Sequence, residues 1–183
     1  MKTRTLLAAL ALACATSVSA FAAETVTLSD VHLCCNNCVN GANAALKSTG
    51  ATGVADRNAK TIVLTAPDKE TLQKGAAALI AAGYFGKSSD SAIKMDAPSG
   101  APDGKVESAT VSGVHLCCPT CVTTVKSVLG KVDGVKSNTV AARQPSFNVA
   151  GDFSPKSLFE ALNAEGLAGK YAAAGATTKP SNP

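Results

Sequence analysis

The chain has 183 residues, 46% of them hydrophobic and 16% charged, with no tryptophan and a formal net charge of +4. That is the composition of a globular protein with modest cores, and it excludes a disordered chain. Removing Lys2 and Arg4 with a leader leaves +2 (4 − 2), too little to argue for a nucleic-acid partner.

Residues 1–22 read as a secretory leader. Lys2 and Arg4 give the basic start, Leu6 to Ala13 the apolar run, and Ala20-Phe21-Ala22 the small residues around a cleavage point. A membrane-spanning helix needs about 20 apolar residues, and Thr16, Ser17 and Ser19 interrupt this run. No later segment is apolar enough to span. The expectation is a periplasmic or secreted protein with no membrane insertion once the leader is removed.

Val26 and Leu28 alternate with threonines, the pattern of a half-buried strand. Then comes Val31-His32-Leu33-Cys34-Cys35-Asn36-Asn37-Cys38, followed by Val39, Ala42 and Leu46 at helical spacing. Gly53-Val54 opens a second strand, Thr61-Ile62-Val63-Leu64 makes a third, and a second helix begins near Asp68 with Leu72, Leu79 and Ile80 on its buried face. A short last strand is expected from Tyr84. Residues 89–105, with Pro98, Gly100, Pro102 and Gly104, have the composition of a linker stiffened by its prolines.

The series then repeats. Val114-His115-Leu116-Cys117-Cys118-Pro119-Thr120-Cys121 stands at an offset of 83 positions (115 − 32), and Gly166 matches Gly83. Pro119 suits the first turn of a helix, where a missing N–H is harmless. Val122, Val125 and Leu129 mark that helix, Gly134-Val135 and Phe147 with Val149 the next strands, and Ser154-Pro155 a capped second helix carrying Leu158 and Leu162. The last strand is expected from Leu167. An internal repeat of this size implies tandem domains. The predicted fold is α+β: two tandem ferredoxin-like βαββαβ domains at 23–88 and 106–172, joined by the linker and followed by a disordered tail at 173–183.

Both histidines and every cysteine except Cys14 lie in the two loops. Six cysteines in an oxidising compartment would ordinarily suggest disulfides. Each triple is compressed into five positions, however, and a bridge within it would restrain almost no chain. Soft thiolates beside an imidazole are the ligands a soft transition metal takes. The second cysteine of each Cys-x-x-Cys falls in the first helical turn, where free N–H groups and the positive helix end favour thiolate.

These loops, with the strand Glu24–Leu28 leading into Cys35-Asn36-Asn37-Cys38, Lys131-Val132-Asp133-Gly134-Val135 and Ala82-Gly83-Tyr84, resemble the heavy-metal-associated domain family, and within it the periplasmic mercury-binding proteins and copper chaperones. The resemblance covers both repeats. It implies that Cys35 and Cys38, and Cys118 and Cys121, are metal-binding pairs that hold Cu(I), Hg(II) or Zn(II) and pass it to a partner by ligand exchange. The chain departs from the family pattern Gly-Met-x-Cys-x-x-Cys. His32 and His115 replace the glycine, Leu33 and Leu116 the methionine, and Cys34 and Cys117 occupy the variable position.

Those departures enlarge the candidate ligand set to Cys34, Cys35, Cys38, Cys117, Cys118, Cys121, His32 and His115. If the chain approaches the loop extended, His32 and Cys34 point away from Leu33 and Cys35. Cys34 with His32 could then form a second face, Cys34 could bridge two Cu(I) ions, or the loop could curl three sulfurs around one ion; the sequence leaves these open. Cu(I) ranks first, Zn(II) second because Cys₃His is a structural zinc set, and Hg(II) third. The expected activity is capture, storage or transfer of metal in copper homeostasis or resistance, with a metal transporter or another metal-binding protein as partner. The rival class is a thiol–disulfide oxidoreductase. Against it, the element order is not thioredoxin-like. Tyr84 is expected near the metal loop or simply in the core.

Overall fold

A computed structural model describes residues 23–174. The expected leader, with Cys14, and the tail beyond 174 lie outside the described residues. The elements are β1 Glu24–Ser29, α1 Asn36–Leu46, β2 Thr52–Asp56, β3 Thr61–Ala66, α2 Lys69–Ala81, β4 Lys87–Ser88, β5 Val106–Ser112, α3 Pro119–Leu129, β6 Val135–Asn138, β7 Ser146–Phe153, α4 Pro155–Ala164 and β8 Lys170–Ala173. They form two four-stranded antiparallel sheets, in the orders β2-β3-β1-β4 and β6-β7-β5-β8. Two α+β halves with one shared element order are consistent with two ferredoxin-like units.

Periodicity explains each half. In β1 only Val26 and Leu28 are buried, and β3 buries Ile62, Leu64 and Ala66 in strict alternation, with Val26 opposite Leu64. The period of two gives the sheet one apolar face. Helix α1 covers it with Cys38, Ala42 and Leu46, and α2 with Leu72, Gly75, Ala76 and Leu79. The second half repeats this with Cys121, Val125, Val128 and Leu129 on α3 and Leu158, Phe159 and Leu162 on α4. The Asp68 side chain caps α2 by accepting from the Thr71 N–H, and Ser154 caps α4 by accepting from the Ser157 N–H.

One expectation changes. Tyr84 and Leu167 do not open the last strands, which start at Lys87 and Lys170; instead the two residues form an antiparallel bridge with each other. An apolar residue after a helix-ending glycine reads as the start of a strand, but here it pairs with its counterpart in the opposite half. The segment between the halves is anchored to both. Ile93 is buried, Gln73 holds the backbone of Lys94 through both its amide atoms, and the Ser99 carbonyl accepts from the Tyr171 N–H at 2.7 Å. Polar composition around Ile93 and Met95 hid two anchoring side chains.

The halves meet at these turns. The Ala168 N–H donates to the Gly83 carbonyl and the Phe85 N–H to the Gly166 carbonyl, each at 3.0 Å, and the His32 N–H reaches Gly166 O at 3.3 Å. Gly83 and Gly166 have φ of +89° and +77°. A Cβ on Gly83 would strike the backbone of Gly113 and His115, and one on Gly166 the backbone of Asp30 and His32. Glycine is required twice over here, for the left-handed turn and for the close approach of the other half.

Candidate metal centre

Each cysteine loop is built the same way. Val31 and Leu33 turn into the first core and Val114 and Leu116 into the second. The intervening His32, Cys34, His115 and Cys117 therefore face the other half. Cys35 and Cys118 are the N-cap residues of α1 and α3, both in extended backbone, and the Cys35 carbonyl accepts from the Cys38 N–H. Pro119 occupies the first turn of α3, where its missing N–H costs nothing. Both helix N-termini thus deliver their cysteines to the same place.

The result is one sulfur cluster and not two. Within the halves, Cys35 and Cys38 are 3.7 Å apart, as are Cys118 and Cys121; Cys34 is 3.5 Å from Cys38 and Cys117 is 3.7 Å from Cys121. Across the halves, Cys34 lies 3.4 Å from both Cys118 and Cys121, Cys117 lies 3.6 Å from Cys35 and 3.5 Å from Cys38, and the buried Cys38 and Cys121 are 3.9 Å apart. Cys34–Cys35, Cys117–Cys118 and Cys35–Cys118 close within 4.8 Å. The pairs left over are Cys34–Cys117, Cys35–Cys121 and Cys38–Cys118, so each sulfur has a single opposite. Six points joined in this way are the corners of an octahedron.

All six cysteines are free. Crowding divides their protons. A hydrogen bond from the Cys121 thiol, against the opposing effect of burial, holds Cys38 down to about 2. The same bond, with burial, pushes the Cys121 thiol up. Burial raises Cys34 and Cys117, reinforced by Cys118 and Cys38 respectively. Burial also works against ionising Cys118, but the Cys121 backbone N–H and the thiol of Cys34 bring it down to about 6.

No protein-family model matches the chain, and no curated protein matches it. Among solved structures it is similar to the N-terminal soluble domains of Bacillus subtilis CopA, at 18% identity over 83% of this chain and 95% of that one, with a TM-score of 0.32. A likeness at that score carries no argument, and the chemistry rests on the sulfur geometry.

The two histidines occupy matching positions but different surroundings. A ring nitrogen of His32 lies within 4.8 Å of the sulfurs of Cys34 and Cys121, and its Nε2 is buried without a hydrogen-bond partner among the described residues. Burial, the largest influence on it, lowers the His32 pKa and favours the neutral ring. The His115 Nε2 is 3.1 Å from the Tyr84 hydroxyl, and the two rings lie 4.6 Å apart. That hydroxyl donates to the Cys38 carbonyl at 2.7 Å. Its one proton is then committed, so the His115 Nε2–H donates to the Tyr84 oxygen. Tyr84 is both a core aromatic and a neighbour of the metal loops.

Sequence reasoning collected the cysteines and histidines into two loops that could each hold metal or together clamp one cluster. It missed Gly83 and Gly166 as the residues that bring the halves together, although their matched places in the repeat were the available signal. It also missed Gly41, whose lack of a side chain leaves room for the His115 ring and the Tyr84 hydroxyl.

Proposed function

We propose that this chain is an exported Cu(I)-binding protein that holds a multinuclear copper–thiolate cluster in a single cage closed by its two halves, for storage or for delivery to a metal transporter or another metal-binding protein. Thiolates select Cu(I), which as a closed-shell ion accepts two or three of them. The observation that carries the reading is the octahedron. Alternate faces are Cys34–Cys35–Cys38, Cys35–Cys117–Cys118, Cys38–Cys117–Cys121 and Cys34–Cys118–Cys121. An ion on each has three sulfurs, and every sulfur then bridges two ions. The Cys38–Cys117–Cys121 and Cys34–Cys118–Cys121 faces, with edges of 3.4–3.9 Å, have their centres about 2.0–2.3 Å from each corner, close to the roughly 2.3 Å length of a zinc–thiolate bond.

A single tetrahedral Zn(II) takes four donors and would leave at least two of the six sulfurs without a role. Hg(II) is satisfied by two thiolates and gives no reason for six. Four Cu(I) and six thiolates leave two negative charges, which the N-termini of α1 and α3 face.

Anaerobic titration of the reduced chain with Cu(I), read by native mass spectrometry, tests this. The expected result is cooperative loading to four ions per chain. Loading that stops at one ion per half, or a preference for Zn(II), would overturn it. An insulin-reduction assay on the same preparation is expected to show no turnover; sustained turnover would favour the oxidoreductase instead.

A further inference from the structure

The repeat makes His32 and His115 equivalent by position, yet the residues that would treat them alike differ. Tyr84 from the first half binds His115 of the second. Its counterpart at the offset of 83 positions is Leu167, which has no hydroxyl to offer His32. Gly41, which leaves room for the His115 ring, is replaced by Thr124. One histidine is therefore stacked and hydrogen-bonded, while the other, equally half-buried, keeps a buried Nε2 without a partner among the described residues.

A buried polar atom with no partner costs free energy that a ligand can recover. A ring nitrogen of His32 stands within 4.8 Å of Cys34 and Cys121, whose sulfurs are 3.4 Å apart, so nitrogen and both sulfurs converge on one edge of the cage. A cavity of about 450 Å³ opens beside His32 and Cys34, lined also by Lys60 and, from the opposite half, by Thr120, Thr124 and Glu165. The corresponding cleft beside His115 and Cys117 is lined in addition by the segment Asp96–Pro98 between the halves.

We propose that His32, and not His115, is a metal ligand on the Cys34–Cys121 edge, and that Cu(I) passes into and out of the cage through the cavity His32 lines. The inference rests on the six-sulfur reading above. Imidazole is an adequate but less tenacious ligand for copper than a bridging thiolate. With one nitrogen and two sulfurs it completes three-coordination for an ion that has not yet reached, or has just left, an all-sulfur face. The transfer is ligand exchange: a copper–nitrogen bond replaces a copper–sulfur bond, or the reverse, and copper stays Cu(I) throughout. His115 positions its loop through Tyr84.

The test uses the full chain, reduced, labelled with ¹⁵N-histidine and titrated anaerobically with the Cu(I)–acetonitrile complex. Two-bond proton–nitrogen spectra follow the ring nitrogens while native mass spectrometry follows uptake. The expected result is a large shift of one His32 nitrogen during loading, with the His115 nitrogens moving far less. Uptake with His32 unmoved, or with both histidines shifting alike, would overturn the proposal while leaving the sulfur cage standing. No uptake at all would overturn both. In parallel, removal of Cu(I) by a bathocuproine chelator is expected to slow severalfold in His32→Ala with the number of ions bound unchanged. Equal rates in His32→Ala and wild type would overturn the passage role.

Discussion

Cys38 and Cys121 stand at the same place in the two loops, both fully buried and 3.9 Å apart, yet their protons are unequally held. A compact group of thiols shares protons: one sulfur ionises and its neighbours donate to it. Cys38, held down to about 2, is thiolate at neutral pH, and so largely is Cys118 at about 6. Cys34 and Cys117, raised chiefly by burial, and Cys121, raised chiefly by its bond to Cys38, remain thiols. Copper requires thiolate, so loading must expel at least these protons. The sign follows: where binding releases protons, affinity rises with pH, and it falls again as acid returns them. Competition titrations against a Cu(I) chelator at pH 6 and pH 8 are expected to show weaker binding at pH 6, with proton release measurable in lightly buffered solution at pH 7. Binding that is flat with pH would mean that the thiols are already ionised before copper arrives.

At the scale of the element, the cage depends on helix ends. The N-termini of α1 and α3 face it, whereas those of α2 and α4 are capped by Asp68 and Ser154. Caps stabilise a helix locally, typically by about 1 kcal/mol for serine. Ser154→Ala is therefore expected to lower stability by about 1 kcal/mol in urea denaturation while leaving Cu(I) uptake at the wild-type level. A loss of uptake would show that α4 is coupled to the cage more tightly than its cap suggests. Elements of this kind are legible in a sequence because their causes are local. The Pro119 start of α3, the caps at Asp68 and Ser154 and the alternation of β1 and β3 each depend on residues within a turn or a strand of one another. Side-chain alternation also correctly sends His32 and Cys34 away from Leu33. What it does not reveal is what stands opposite. Two nearly identical loops look the same whether they act apart or against each other, and the residues that join them, Gly83 with Ala168 and Gly166 with Phe85, are distant in the chain. Ile93 was hidden for the same reason, since its burial depends on a surface that exists only after folding.

For the whole molecule the question is whether the cage exists only because the halves are pressed together, and Gly166 offers a way to ask it. At φ +77°, alanine there carries the left-handed backbone penalty, on the order of 1 kcal/mol. Its Cβ would also meet the Asp30 carbonyl and the His32 N–H, which belong to backbone and cannot swing aside. Gly113, at φ +73° with nothing within 4 Å of where a Cβ would stand, incurs the first cost without the second. The pair thus separates turn strain from interface strain. Gly166→Ala is expected to part the halves, since the bonds of its carbonyl to the Phe85 and His32 N–H groups cannot survive the displacement. Each sheet should remain folded on its own core. Circular dichroism should be nearly unchanged, small-angle scattering should report a larger radius of gyration, and Cu(I) uptake should fall from the four-ion cluster to what an isolated triple can hold. Gly113→Ala should lose a little stability and keep both the compact form and the cluster. If Gly166→Ala loads four ions as tightly as Gly113→Ala does, the contact between the halves is not what builds the site, and copper itself must draw the two loops together.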